Sequence, residues 1–395
     1  MDFTFTKEEE AFRHEIRDFL KKELPANWVG PTYTEDELED EGLWAMGRKL
    51  APKLGEKGWL AMAWPKEYGG QARTYMEQAI FKEEMAYHRA PGIDFPGIAM
   101  CGPTILAFGN PEQKTQFLPP IAKGKVFWCQ GFSEPQAGSD LAAVKTSAVQ
   151  KGDHFVVNGQ KVWTSGGHRA NWMFLLARTD PQAPKHKGIS FLLLDMKTPG
   201  IEVRPLRNIV GGHAFNEVFF DDVKLPVSNM VGGLNDGWRV ATSLLSFERS
   251  GIERLAFTRR LLDEISDFAR EALGGETPAH TVTLMQHKLA QMVIECEVGR
   301  LLAYRVAWMQ NQGQIPQAEA SISKIFGSEL MQRVANVGMQ LLGVYGQLLK
   351  GSERAQLGGR VAHVYQSSLG RTIAAGTSEI QRTLIATRGL GLPRG

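Results

Sequence analysis

The sequence predicts an α+β multidomain chain: an N-terminal α-helical domain (1–126), a middle antiparallel β domain (127–234) and a C-terminal α-helical bundle (235–395). Three observations carry this. Helical periodicity fills the first third, Pro- and Gly-punctuated strands replace it near Phe127, and long helical patterns return after Asp236.

In the first region, Thr6-Lys7-Glu8-Glu9 has the form of a capping box, with Phe12, Ile16, Phe19 and Leu20 as the apolar stripe behind it. Leu24-Pro25 ends that helix. Helical patterns follow over Glu41–Lys57, Met76–His88, Pro103–Phe108 and Glu112–Ala122, while Pro31–Asp40 reads as a polar loop. In the middle region, His154–Val157 and Gln160–Ser165 flank Asn158-Gly159, the signal of a two-residue hairpin turn. Trp172–Ala177, Ile189–Asp195, Ile201–Pro205 and Glu217–Phe220 are further strands. In the last region, Asp236 caps a long helix ending at Gly274-Gly275. Helices over Val282–Gln312, Gln317–Leu342 and Thr377–Thr387 complete the expectation.

Composition narrows the function. The 395 residues carry 45 basic and 43 acidic side chains, a formal net charge of +2. That balance lacks the positive field that nucleic-acid binding requires. No apolar stretch is long enough for a membrane span, and the N-terminus shows neither a signal core nor a transit segment, so a cytoplasmic protein is expected. Cys101, Cys129 and Cys296 have no metal spacing and read as small buried hydrophobes.

The segment Gly131-Phe132-Ser133-Glu134-Pro135-Gln136-Ala137-Gly138-Ser139-Asp140 stands out. Gly138 permits close backbone approach to a ligand, and Ser133 and Ser139 offer hydroxyls beside exposed N–H groups. Composition alone favours an ordinary polar turn between domains. No strand precedes a Gly-x-Gly-x-x-Gly run, so a dinucleotide-binding Rossmann unit is not indicated.

In its order of residues this segment resembles the first signature of the FAD-dependent acyl-CoA dehydrogenase family. Lys161-Val162-Trp163-Thr164-Ser165-Gly166-Gly167 resembles that family's flavin-stacking strand, and Gly376-Thr377-Ser378-Glu379-Ile380-Gln381-Arg382 its C-terminal signature. The resemblance spans nearly the whole chain and implies a β-barrel or sandwich in the middle and a C-terminal four-helix bundle. It implies that Gln130, Phe132 and Ser133 contact the isoalloxazine and Ser139 the pyrophosphate. Trp163 would lie against the ring, with Ser165 near its reactive nitrogen.

At the ADP end, reached in this family partly from the neighbouring subunit, Arg270-Glu271-Ala272-Leu273-Gly274 has Leu where the family has Phe. Gln286 follows a longer loop, and Gln340-Leu341-Leu342-Gly343-Val344 has Val where the family has a second Gly. Thr377 and Glu379 match the remaining contacts.

Many relatives place a catalytic Glu where this chain has Ala375. The resemblance then points to the branch whose base lies on the long helix opening the C-terminal domain, here Glu248-Arg249. On one continuous helix, Leu244, Leu245, Ile252 and Leu255 form an apolar stripe around Glu248 that raises its pKa toward a base's useful range. The competing reading is an ion pair with Arg249 or Arg254. Asp94, within Pro91-Gly92-Ile93-Asp94-Phe95-Pro96, is a second acidic candidate, or a cap. Ala375, Arg249, Ser139 and Asp94 form the substrate-side set.

The resemblance further implies α,β-dehydrogenation of an acyl-CoA to the trans-2-enoyl-CoA, electron-transfer flavoprotein as acceptor, and a homotetramer built as a dimer of dimers. Two alternatives are a flavoprotein oxidase or monooxygenase of the same fold, and one subunit of a mixed tetramer. Linear, branched, cyclic and steroid-derived acyl groups all remain open.

Overall fold

The structure, a computed structural model, describes residues 4–32, 35–247, 250–272 and 279–393. The first helices are α1 (Lys7–Glu23), α2 (Asp36–Glu39), α3 (Glu41–Glu56), α4 (Tyr75–Tyr87), α5 (Gly102–Phe108) and α6 (Pro111–Ala122). The strands are β1 (Trp128–Gly131), β2 (Ser147–Lys151), β3 (His154–Lys161), β4 (Trp172–Arg178), β5 (Ile189–Asp195), β6 (Ile201–Leu206), β7 (Phe215–Pro226) and β8 (Met230–Val231). Helices return as α7 (Gly237–Phe247), α8 (Ile252–Ala272), α9 (Ala279–Asn311), α10 (Gln317–Leu342), α11 (Arg360–Arg371) and α12 (Ser378–Leu384). The expected helix–sheet–helix order therefore holds. Among the described residues no helix is long and apolar enough to cross a membrane.

Packing divides the chain into two units. One comprises Met1–Thr34, Thr74–Ala90 and Arg249–Gly395; the other comprises Glu35–Arg73 and Pro91–Glu248. The N-terminal helices are thus shared out, with α1 and α4 in the first unit and α2, α3, α5 and α6 in the second.

In the first unit, Thr6 caps α1 reciprocally with Glu9, at 3.1 and 2.9 Å. Buried Arg13 on α1 donates to Glu83 (2.6 Å) and Glu84 (2.7 Å) on α4, and Tyr304 on α9 donates to Glu83 at 2.6 Å. Charged groups at such depth persist only when paired, and these pairs tie three helices together. α11 lies outside the sequence expectations. Its apolar face is short (Val361, Ala362 and Val364), and Leu357, Gly358 and Gly359 before it all have positive φ.

In the second unit the sheet runs β6-β7-β3-β2-β4-β5-β8, with β1 parallel to β4 and most other pairs antiparallel. β4 and β5 are apolar along almost their whole length and largely buried, as strands covered on both faces must be. The three cysteines are free and buried, as their isolation implied.

Three local expectations need correction. Asn158-Gly159 is not a hairpin turn: β3 runs straight through it, with a bulge against β7 between Val157 and Gly159. Gly159 has φ +144°, and a Cβ there would meet Thr146 at 2.8 Å, so the glycine serves the bulge. The hairpin closes instead at Gly152-Asp153, with Lys151 paired to His154. The loop expected over 31–40 contains α2. The single helix expected from Asp236 is two helices, α7 ending at Phe247 and α8 starting at Ile252, with Gly251 at φ +67° between them. The stripe of Leu244, Leu245, Ile252 and Leu255 is therefore not one helical face, and Glu248 and Arg249 lie outside the described residues.

Candidate functional site

At the end of β3 the chain turns at Trp163, whose φ is +60°. For a bulky side chain this backbone region is a genuine outlier costing on the order of 1–3 kcal/mol, and it persists only where its surroundings over-determine it. Here the flanking amides do so. Val162 N–H donates to the Ser133 carbonyl at 2.9 Å, and Thr164 N–H to the Asn216 carbonyl at 3.0 Å. The indole is 58% exposed and touches Phe215 edge-on, at 5.8 Å between centroids. A large aromatic face held open by a strained, pinned backbone is able to stack against a flat ring. Ser165 follows, half-buried, and the neighbouring Thr164 hydroxyl is buried without a hydrogen-bond partner.

The segment after β1 lies against this turn through the Val162–Ser133 bond. Gln130 is half-buried on β1. Phe132 turns its ring inward, edge-on to Phe174 (5.6 Å) and Phe191 (6.2 Å), so its contribution to any ligand is its backbone. Gly138 and Ser139 sit exposed at the tip, and the space around Gly138 is open.

A pair that the sequence reading did not single out underlies both segments. Lys161, with no exposed surface, donates to Glu134 at 2.7 Å and to the Phe132 carbonyl at 3.0 Å. Glu134 also accepts from the Lys145 N–H (2.7 Å) and the Thr146 N–H (2.9 Å). Burial opposes ionisation of Glu134, but Lys161 and these donors outweigh it and hold its pKa below the ordinary carboxylate value.

Asp94 is buried, and its two carboxylate oxygens accept from the Gly97 N–H (3.2 Å) and the Trp128 N–H (3.1 Å). It caps the widened helical turn Pro96–Cys101 and ties it to β1. Burial pushes its pKa up to about 8, against those two donors. Nearby Glu37, on α2, accepts from the Gly92 N–H at 3.0 Å and is pushed up to about 7 by burial.

The other unit carries the remaining predicted residues. Ala375 has φ +55° and Gly376 φ +86°. Their carbonyls are occupied, Ala375 accepting from Gln381 at 3.0 Å and Gly376 from Lys324 at 2.6 Å. The Ala375 N–H has no backbone acceptor among the described residues. Thr377 caps α12, accepting from the Ile380 N–H at 3.2 Å, and Glu379 is exposed in its first turn. Arg270 is exposed and paired with Asp267. Gln286 and Gln340 are exposed on α9 and α10, with Lys288 donating to Gln340. Gly343 (φ +55°) and Val344 are exposed where α10 ends.

The second unit thus brings Gln130, Phe132, Ser133, Trp163 and Ser165 to one place. Among the described residues no cluster of His, Cys, Asp and Glu is arranged to hold a metal ion.

The sequence matches the acyl-CoA dehydrogenase N-terminal domain over residues 6–125, the middle domain over 129–223 and the C-terminal domain over 235–390. Acyl-CoA dehydrogenase FadE26 of Mycobacterium tuberculosis is 37% identical over 405 residues, covering 100% of this chain and 99% of the relative. Among solved structures, the Tcur3481–Tcur3483 steroid ACAD superposes with a TM-score of 0.89 at 32% identity, covering 100% of both chains. The ChsE4–ChsE5 complex from Mycobacterium tuberculosis gives 0.88 at 36% identity, also covering 100% of both.

Proposed function

Since the chain belongs to the acyl-CoA dehydrogenase family and is an oxidoreductase, we propose that it binds FAD and converts an acyl-CoA to the trans-2-enoyl-CoA, with Glu248 as the α-proton base. The observation that carries the cofactor assignment is Trp163, an exposed indole held in a strained, doubly pinned turn beside the Ser133 segment. These residues fit a flavin: Trp163 offers a stacking face, Ser165 a polar group beside it, and Gly138 an open approach for a pyrophosphate near Ser139. When bound, FAD supplies the acceptor for the β hydride.

The protein's own part is geometry and electrostatics. An α proton of a thioester is weakly acidic, so negative charge growing on the thioester oxygen needs a fixed donor while a base removes the proton. The Ala375 N–H fits the donor role. Its carbonyl is held by Gln381, its left-handed backbone is anchored on the Lys324–Gly376 bond, and a backbone donor does not depend on a methyl side chain. Ala375 has no titratable group, and the family resemblance puts the base at Glu248, with Arg249 beside it. Arg270, Gln286, Gln340, Gly343 and Val344 suit the adenine end of a neighbouring subunit's FAD, and their exposure on one unit supports that assignment; Thr377 and Glu379 suit the remaining FAD contacts. Electron-transfer flavoprotein is the proposed acceptor.

The pure protein is expected to be yellow, with one FAD per chain released by denaturation. A colourless protein that does not reconstitute with FAD would overturn the assignment. Light scattering is expected to give a tetramer, a dimer of dimers; a monomer retaining full FAD would exclude cofactor sharing across an interface. The two solved structures favour a second reading for assembly and substrate, because their names pair two proteins and one names a steroid enzyme. In that reading this chain is half of a mixed tetramer acting on a steroid-derived acyl-CoA. Partial FAD occupancy when purified alone, with turnover confined to steroid-derived thioesters, would establish it.

A further inference from the structure

Trp163 is held by more than its flanking amides. The next residue, Thr164, is paired through both backbone groups with Asn216, whose side-chain nitrogen closes the arrangement by donating to the Thr164 carbonyl at 3.1 Å. That nitrogen also faces His168 Nδ1 at 3.1 Å and, more distantly, the Ala214 carbonyl at 3.4 Å. Two carbonyl neighbours identify the atom as the amide nitrogen rather than its oxygen. His168 Nδ1 therefore has to accept. The other ring nitrogen, Nε2, lies 3.0 Å from the Leu38 carbonyl and has to donate. Only the neutral Nε2–H imidazole satisfies both contacts.

Resting on the assignment of Trp163 to the flavin, we propose that His168 is a positioning residue for that tryptophan. It links the carbonyl of α2 to the Asn216 carboxamide and so keeps the Trp163 turn in its strained form. Phe215, the neighbour of Asn216, touches the Trp163 ring, so a displaced Asn216 moves the platform's only aromatic buttress among the described residues. The anchor is firm at its other end. Leu38 is buried with Phe127 and Ala214, and Glu39 accepts from the Ala214 N–H at 2.7 Å.

Protonation would set Nδ1–H against the Asn216 N–H groups, two donors without an acceptor. The charged and titratable neighbours are Arg169 on the same turn, His213 ahead of β7 at 5.1 Å between rings, and Glu41 on α3. Glu41 is taken up by Arg169, which donates to it at 2.5 Å. Partial enclosure of the ring, with Arg169 and His213, keeps the pKa of His168 below its ordinary 6.5. Because the folded pKa is lowered, the positioning is complete above the ordinary histidine pKa. It is lost as pH falls through the lower folded value.

The test is FAD dissociation from the holoprotein, read by release of flavin fluorescence from about pH 8 to about pH 5. The wild-type protein should lose about tenfold in FAD affinity across one proton-linked step. His168→Gln should bind about fivefold more weakly than wild type at the upper pH and lack that step. Retention of the wild-type step by His168→Gln, or unchanged affinity at the upper pH, overturns the proposal. If the variant does not fold, the ring nitrogen-15 shifts of His168 in the wild-type holoprotein decide: a neutral Nε2–H form supports it, and an Nδ1–H or charged form at neutral pH overturns it. Absence of FAD binding at every pH would overturn the flavin assignment itself, a different result from pH-independent binding.

Discussion

Glu248→Gln is expected to bind FAD and acyl-CoA close to normally and to reduce its flavin at least about a hundredfold more slowly under anaerobic conditions. Gln preserves size and hydrogen bonding but takes no proton, so the loss falls on the chemical step rather than on affinity. Ala375 has no titratable group, and the alternative is Asp94, whose two carboxylate oxygens each accept a backbone N–H. The chain next to Glu248 is well anchored: Ser323 donates to the Ser250 carbonyl at 2.6 Å, and Ile252 is fully buried. Stopped-flow reduction by a good substrate is the measurement. Near wild-type rates in Glu248→Gln, with slow reduction in Asp94→Asn, would transfer the role to Asp94.

Lys161→Met is expected to destabilise the protein by about 3–5 kcal/mol, the cost of removing one partner of a buried ion pair. Met matches the aliphatic stem of Lys161 but leaves the Glu134 carboxylate without its cation and the Phe132 carbonyl without its donor. Because Lys161 stands two residues before Trp163, FAD affinity should fall along with stability. Glu134→Leu should be at least as harmful, since it also strands the Lys145 and Thr146 N–H groups. Chemical denaturation of the apoprotein measures both, and a loss under about 1 kcal/mol would show that the pair is dispensable. The pH dependence follows from the lowered pKa of Glu134. Its contribution is complete above the ordinary carboxylate pKa and disappears as pH falls through the lower folded value, and it should be much smaller in Lys161→Met.

Much of the architecture was legible because its signals are contiguous. The Thr6–Glu9 capping box, the apolar spacing of α1, and the long runs of β4 and β5 all lie within a few residues, where local sterics and burial act directly. The three motifs were legible for the same reason, and so was the missing carboxylate at position 375.

Tertiary structure decided whatever depends on a partner distant in sequence. Asn158-Gly159 suits either a turn or a bulge, and pairing of β3 with β7 made it a bulge while Gly152-Asp153 took the turn. That the Phe132 ring packs inward, edge-on to Phe174 and Phe191, was settled by strands distant in sequence. Lys161 and Glu134 stand 27 residues apart, and only the sheet brings them together in a place where neither can remain charged without the other. Leu38, His168 and Asn216 likewise come from three separate stretches of chain. Their hydrogen-bond chain is invisible to any local pattern, because a histidine's tautomer is set by the groups that face it after folding.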